Sequence, residues 1–254
     1  MKTFELVYTF CEPGLPVIYK RVRKILTSLA KACTFRPRFL DIGGRKSHYT
    51  IGVPADITIT DLPRTSVVQH QLHLGISEEI AQTIRARRSN VESVLIDDMT
   101  RSSLSSASFD CAVAVEVLEH VDDDLTFLRE VKRVLKPEGR FIMTTPNGDF
   151  VRNINPDHKR HYRRKELEML LRREFEYIEV RYASPGTKFY NMALRSWSVA
   201  RPLQTVLTYI GGVINSVEDR IAPQTSEGVG MQELIAVAYN STEVPHIKSQ
   251  IRFV

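Results

Sequence analysis

Three short apolar runs end in acids. Phe39, Leu40 and Ile42 surround Asp41 and break into Gly43 and Gly44; ADITITD ends at Asp61; VESVLI runs into Asp97 and Asp98. A buried parallel strand that stops at a carboxylate delivers a polar group to the carboxyl edge of a sheet. The glycine pair lets the backbone turn with φ > 0 and lets a ligand lie against the main chain. A nucleoside ligand uses such a set in order. Its charged tail takes main-chain N–H groups and an acid at the first turn, its ribose diol takes a carboxylate after the second strand, and its base takes a polar contact and an apolar wall after the third. Asp41, Gly43 and Gly44, then Asp61, then Asp97 and Asp98 with Met99 are the candidates. Each acid by itself is more often a turn or cap residue; their joint placement is the signal.

A second set carries imidazoles. His120 follows a fourth apolar run, and His158 and His161 follow a fifth, inside DHKRHYRRK, residues 157–165. Imidazole moves protons near neutral pH, which makes His120 and His161 candidate general bases, with His158 weighed beside them. The bland reading of His120 is a residue that starts the next helix. The five basic residues and Tyr162 of the 157–165 run fit an anionic acceptor such as a carboxylate or phosphate. The competing reading is a basic loop entering a helix. No metal site is expected: Cys11, Cys33 and Cys111 show no ligand spacing. Cys111 lies in an apolar run and reads as a buried thiol. An odd number of unpaired cysteines suits a reducing, cytoplasmic compartment, and the first fourteen residues lack the basic start and long apolar run of a signal peptide.

The elements that must position these groups follow from periodicity. Val17, Ile18, Val22, Ile25, Leu26 and Leu29 predict a helix over 15–34, and Pro37 an extended entry to the first strand at 38–43. Strands are predicted at 55–61, 91–96, 109–115, 140–145, 177–182 and 231–239. Ser77 starts a helix to Arg88 that is acidic at its head and basic at its tail. Val121, Leu125, Leu128, Val131 and Leu135 make the stripe of the helix after the fourth strand, and Lys165–Arg172 reads as a short helix. The alternation predicts an α/β fold, a doubly wound, mostly parallel seven-stranded Rossmann-like sheet whose last strand inserts antiparallel.

The stretch 187–221 departs from this alternation. Leu203, Val206, Leu207, Ile210, Val213, Ile214 and Val217 form a helical stripe, while Gln204, Thr205, Thr208, Asn215, Ser216 and the glycines at 211–212 argue against a membrane span. A lid or a homodimer face is expected, with peripheral membrane contact as the second reading. The expected layout is one domain over 1–254: an N-terminal helical cap (1–35), a core (36–183), a helical insertion (184–230) hinged at Ser184–Gly186 and 223–230, and the last strand with its tail (231–254).

Hydrophobic residues at 43% and charged residues at 26% describe an ordinary globular protein, and 254 residues allow one ample core. The net charge of +5 permits nucleic acid or anionic lipid as partner. No RNA-binding module is visible and aromatics are only 8%, so no nucleic acid is expected.

The residues resemble the class I S-adenosylmethionine-dependent methyltransferases, in particular their small-molecule branch. The resemblance covers about 36–183 plus the last strand. Its sharpest part is FDCAVAVEVLEHVDD followed by FLREVKRVLKPEGRFIMTTPN. The family's D-x-G-x-G-x-G turn is met by Asp41 and Gly43, with Arg45 and Ser47 at the other two glycine positions. Asp61, beside Leu62, matches the ribose acid. Asp98 lies as far before Asp110 as the family's adenine-region acid does, and Val115 and Glu116 match positions that line the methionine portion. The resemblance implies S-adenosyl-L-methionine as cofactor and methyl transfer to a small-molecule or lipid- or sugar-linked acceptor. The rivals are RNA or protein methylation and a non-catalytic relative that works as an interaction partner. A nicotinamide-dependent dehydrogenase needs G-x-G-x-x-G for its pyrophosphate and leaves LEHV and KPEGRF without a role.

Overall fold

The computed structural model describes residues 2–64, 75–194, 197, 200–221 and 228–241. Helices α1 (Thr3–Cys11) and α2 (Val17–Ala32) precede the sheet. Its strands are β1 (Arg38–Ile42), β2 (Asp56–Asp61), β3 (Val91–Ile96), β4 (Phe109–Val115), β5 (Leu135–Pro146), β6 (Tyr177–Pro185) and β7 (Met231–Tyr239). Between them lie α3 (Glu78–Arg87), α4 (Asp124–Val134), α5 (Arg164–Leu171), α6 (Tyr190–Ala193) and α7 (Pro202–Ile221). The strand order is β3-β2-β1-β4-β5-β7-β6. The pairs among β1 to β5 are parallel, and β7 runs antiparallel between β5 and β6.

Alternation along the strands feeds two cores. Phe39, Cys111 and Val113 pack with Val22 and Leu26 of α2 on one face. Leu40, Ala112 and Ala114 pack with Phe127, Leu128 and Val131 of α4 on the other. Burial on both faces is why the central strands β1 and β4 read as nearly continuous apolar runs. Caps set the helix starts: Ser77 Oγ accepts from the Ile80 N–H at 3.4 Å, and the Asp123 carboxylate accepts from the Thr126 N–H at 2.9 Å.

Several expectations are corrected. The buried stripe of α4 is Phe127, Leu128, Val131 and Val134; Leu135 opens β5 because it pairs with Phe109. Ser184 and Pro185 belong to β6 and are no loop hinge, since Pro185 pairs with Met231 of β7. Of the second expected hinge, 223–227 lie outside the described residues. Near the start of the chain α1 is fastened to the turn after α3 by Glu5, which accepts from the Ser89 N–H at 2.7 Å and the Ser89 hydroxyl at 2.8 Å.

The expected helical stripe of 187–221 is found in α7, and it points away from the core. The buried residues of α7 are Thr208, Gly211, Gly212 and Asn215, and its apolar stripe faces outward, with Leu203 72% and Val217 52% exposed. Gly212 explains the orientation: a Cβ there would lie 2.0 Å from the Gly14 carbonyl oxygen, so only a bare backbone approaches the turn after α1 this closely. Arg21 of α2 fixes the helix through hydrogen bonds of 2.7 and 3.1 Å to Asp219. Among the described residues no helix is long and apolar enough to cross a membrane.

Candidate active site

β1 lies between β2 and β4, so successive crossovers leave it in opposite directions and a crevice opens at the carboxyl ends of β1 and β4. Gly43 turns the chain at φ +69°, and its N–H donates to the Thr60 carbonyl at 2.8 Å. A Cβ on Gly43 would lie 2.8 Å from Val117 Cγ2, so the loops after β1 and β4 meet across the crevice. Gly44 has a different duty. A Cβ there would lie 2.4 Å from the Asp41 carboxyl carbon.

Asp41 is wholly buried and accepts from the Tyr49 hydroxyl at 2.8 Å and the Thr50 hydroxyl at 2.9 Å. Its carboxylate braces the 43–50 loop from beneath. Burial pushes its pKa up, against the nearby Ser47 hydroxyl and the Arg88 charge. Arg88, itself 5% exposed, donates to Thr50 Oγ1 at 2.6 Å and to Ser47 Oγ at 3.3 Å. Ser47 donates to the Gly44 carbonyl at 2.7 Å. With Arg45 and Ser47 at two glycine positions, the loop is closed by side-chain ties.

Asp61 ends β2 and accepts from the Leu62 N–H at 2.8 Å. Burial raises its carboxyl, and the Leu62 N–H and the Arg45 charge oppose that shift. The ends of β2 and β3 are joined where the Asp97 N–H donates to the Asp61 carbonyl at 3.1 Å. Asp97 Oδ1 accepts from the Ser103 N–H at 2.9 Å and its hydroxyl at 2.8 Å, while Oδ2 is buried without a partner. Asp98 caps the next turn by accepting from the Thr100 N–H at 3.0 Å and its hydroxyl at 2.7 Å. Partial burial works against it, but those bonds and Arg101 hold Asp98 below its ordinary value. Met99 is 4% exposed and belongs to the core. The structure therefore brings Asp41, Gly43, Gly44, Asp61, Leu62, Asp97 and Asp98 to one edge of the sheet.

Across the crevice, Val115 ends β4 and Glu116 takes φ +54°. A glutamate rarely enters that region, and such strain collects at functional sites. Glu116 Oε1 accepts from the Thr144 hydroxyl at 2.9 Å. Glu119, wholly buried, accepts from the Thr145 hydroxyl at 3.2 Å through Oε2, and Oε1 has no partner. Glu233 of β7, 4% exposed, accepts from the Tyr190 hydroxyl at 3.1 Å through Oε1, and Oε2 has no partner. Burial first, then the neighbouring Glu119 and Glu233 carboxyls, raises Glu116, while burial raises Glu119 against the Thr145 hydroxyl and the contact with Glu116. Burial is also the main cause of the rise at Glu233. Burial pushes Tyr19 of α2, near Glu116 and Glu233, up to about 12.

The histidines stand at the same mouth. His120 Nδ1 lies 3.0 Å from the Asp157 carbonyl oxygen, so it carries the proton and leaves Nε2 with the lone pair. His158 Nδ1 and His161 Nε2 are 2.7 Å apart, and His161 Nδ1 is 3.0 Å from the Val151 carbonyl. Both nitrogens of His161 are engaged, and the chain of donors leaves Nε2 of His158 free. Burial and the two adjacent imidazoles push His158 down to about 4.

Two of the five basic residues in this run are paired with acids that follow β4. Lys159 meets Asp122 at 3.1 Å and Arg160 meets Asp124 at 2.7 Å, while the Tyr162 hydroxyl also donates to Asp124 at 2.9 Å. The Lys159 N–H donates to the Glu119 carbonyl at 2.8 Å. These ties press the 157–162 segment onto the turn after β4.

Sequence reasoning missed Glu119, Glu233, Tyr19, Tyr190 and Arg88. Glu233 had a signal, as a lone acid opening the otherwise apolar run 234–238. Glu119 had none that separates it from a helix-start residue.

Residues 51–143 match the family described as "Methyltransferase domain". A Mycobacterium tuberculosis protein described as "Probable S-adenosylmethionine-dependent methyltransferase" is 29% identical over 158 residues, 60% of this chain and 53% of that protein. A Xanthomonas oryzae ubiquinone biosynthesis O-methyltransferase is 29% identical over 113 residues, 43% of each chain. The chain thus spans about half the length of these curated relatives. The crystal structure of a SAM-dependent methyltransferase from Archaeoglobus fulgidus superposes with a TM-score of 0.52 at 15% identity, covering 85% of this chain and 94% of that one, which shows a shared fold.

Proposed function

We propose, for a chain that belongs to the class I S-adenosylmethionine-dependent methyltransferases, that it methylates a hydroxyl oxygen of a small molecule. The observation that carries the acceptor is the pair of buried, unpartnered carboxyl oxygens, Glu119 Oε1 and Glu233 Oε2, on the far side of the crevice. A hydroxyl donor satisfies such atoms, and an anionic group would be repelled by them. The internal pairing of Lys159 and Arg160 removes part of the case for an anionic acceptor.

The crevice fits the cofactor. Gly43 keeps clear against Val117 the space that a Cβ would fill, and Asp61 stands at the end of the neighbouring strand. The loop at Gly43 and Gly44, braced by Asp41, would hold the methionine portion with Val115 and Glu116; Asp61 and Leu62 would hold the ribose; Asp97 and Asp98 would frame the adenine. S-adenosylmethionine, when bound, supplies an activated sulfonium methyl. The remaining work is alignment, exclusion of water and removal of one proton. Glu233, raised by burial and steadied by Tyr190, is placed to accept the proton of the acceptor hydroxyl at Oε2. His120 acts on the acceptor oxygen through Nε2, and His161 is a positioning residue that orients His158.

The test is calorimetric titration with S-adenosylhomocysteine, beside Asp61→Ala. The variant should bind roughly tenfold or more weakly, as loss of hydrogen bonds to a charged group implies. A folded, intact protein that fails to bind would sink the reading. The rival role, a cofactor-binding partner protein without turnover, is favoured by the outward apolar face of α7. Binding with no labelled methyl passed to any hydroxyl acceptor would favour that role.

A further inference from the structure

The geometry points to a divalent transition-metal site formed by Glu119, His120 and His158. One ligand atom from each of these residues lies within 4.8 Å of the others. Four independent features fit an ion. Glu119 is wholly buried, its Oε1 takes no hydrogen bond from an N–H or O–H donor, and it lies against a second carboxyl, Glu116, a pairing that a cation would stabilise. Both imidazoles present Nε2 because each Nδ1–H is already committed, that of His120 to the Asp157 carbonyl and that of His158 to His161. Hydrogen-bonded outer partners of this kind are what fix the tautomer of metal-bound histidines. The ring centres of His120 and His158 are 4.7 Å apart. Two imidazoles bound at ~2.1 Å with ~90–110° between them place their centres ~4.5–5.3 Å apart. Finally, His120 is exposed, so an ion has a path in from solvent.

Two imidazoles and one carboxylate with open positions suit Zn²⁺, Mn²⁺, Fe²⁺ or Co²⁺, and disfavour Ca²⁺ and Mg²⁺, which prefer all-oxygen sets. The site is assembled from two distant segments. Glu119 and His120 sit on the turn after β4, and His158 is carried to them by the segment clamped through Lys159–Asp122 and Arg160–Asp124. Ion binding stands apart from the methyl-transfer reading, but the ion's role rests on it. Held at the mouth of the crevice, the ion would take the acceptor hydroxyl into an open position and lower its pKa, so that Glu233 accepts the proton from a stronger acid. His120 then acts on the acceptor through the ion.

The experiment strips the purified protein with a chelator and titrates it with Zn²⁺ by calorimetry. Co²⁺ substitution is read by visible absorption, and Mg²⁺ serves as the control. One Zn²⁺ per chain is expected. His120→Ala and His158→Ala should each weaken it more than 100-fold, and His161→Ala, which only orients His158, by ~10–100-fold. Circular dichroism of each variant reports on folding independently, and S-adenosylhomocysteine titration is run beside it. Equal Zn²⁺ affinity in the intact protein and both alanine variants would place the ion elsewhere and overturn the proposal, as would no saturation below about 1 mM. Zn²⁺ binding without S-adenosylhomocysteine binding would leave the metal site standing and remove the methyl-transfer reading; the reverse result would do the opposite. If His158→Ala does not fold, His161→Ala carries the same decision.

Discussion

Gly44→Ala should destabilise the protein more than Gly43→Ala, although Gly43 alone of the two needs the left-handed backbone. At Gly43 the φ of +69° costs an alanine about 1–2 kcal/mol, and the added Cβ meets a Val117 methyl at 2.8 Å, which a rotamer change relieves. At Gly44 the Cβ would lie 2.4 Å from the Asp41 carboxyl carbon and 2.6 and 2.7 Å from its oxygens. Asp41 cannot yield without giving up its bonds from Tyr49 and Thr50, two hydrogen bonds to a charged group at about 1.5–3 kcal/mol each. The expected loss is about 3–6 kcal/mol against about 1–2 for Gly43→Ala. Urea unfolding followed by circular dichroism measures both, provided the slope is unchanged. A double-mutant cycle with Asp41→Ala should then be strongly non-additive, because the clash disappears with its target. If Gly43→Ala is the costlier change, or if the cycle is additive, the account of the loop is wrong.

Other consequences can be checked with the same assay. The Glu233 carboxyl is raised mainly by burial, from 4.5 to about 7, so between those values the folded chain keeps a proton that the unfolded chain releases. Stability should fall as pH rises through that window, by up to about 1.4 kcal/mol per pH unit, and level off above it; Glu233→Gln should flatten the fall, and an unchanged slope would refute the assignment. Leu203→Lys and Val217→Lys should each change stability by no more than about 0.5 kcal/mol because those side chains face outward, whereas Leu128→Ala should cost about 2–5 kcal/mol. A large loss at Leu203 would mean that this face is covered. Asp124→Asn removes the partner of Arg160 and Tyr162 and should cost about 1–3 kcal/mol. Amide exchange over 157–162 should quicken, and unchanged protection there would show that the clamp lies elsewhere.

The central strand β4 was legible because a strand buried on both faces writes itself as a continuous apolar run, and edge strand β3 and antiparallel β7 because turn residues bound their short β-branched runs. The runs 91–96, 109–115 and 231–239 coincide with β3, β4 and β7 to the residue. Asp41, Asp61, Asp97 and Asp98 were legible because strand ends put side chains where chain order says they will be, so their meeting at one edge needed only the fold. Three matters were decided by tertiary structure. Periodicity located the stripe of α7 but not the direction it faces, since the Gly212–Gly14 approach and the Arg21–Asp219 pair join residues nearly two hundred positions apart. Charge counting saw five basic residues at 157–165 but not that Asp122 and Asp124 take up Lys159 and Arg160. Glu119, His120, His158 and Glu233 meet only when β5 and β7 pair beside β4. No local pattern records that meeting, because each of these residues satisfies its own neighbours' preferences and only the sheet brings their side chains together.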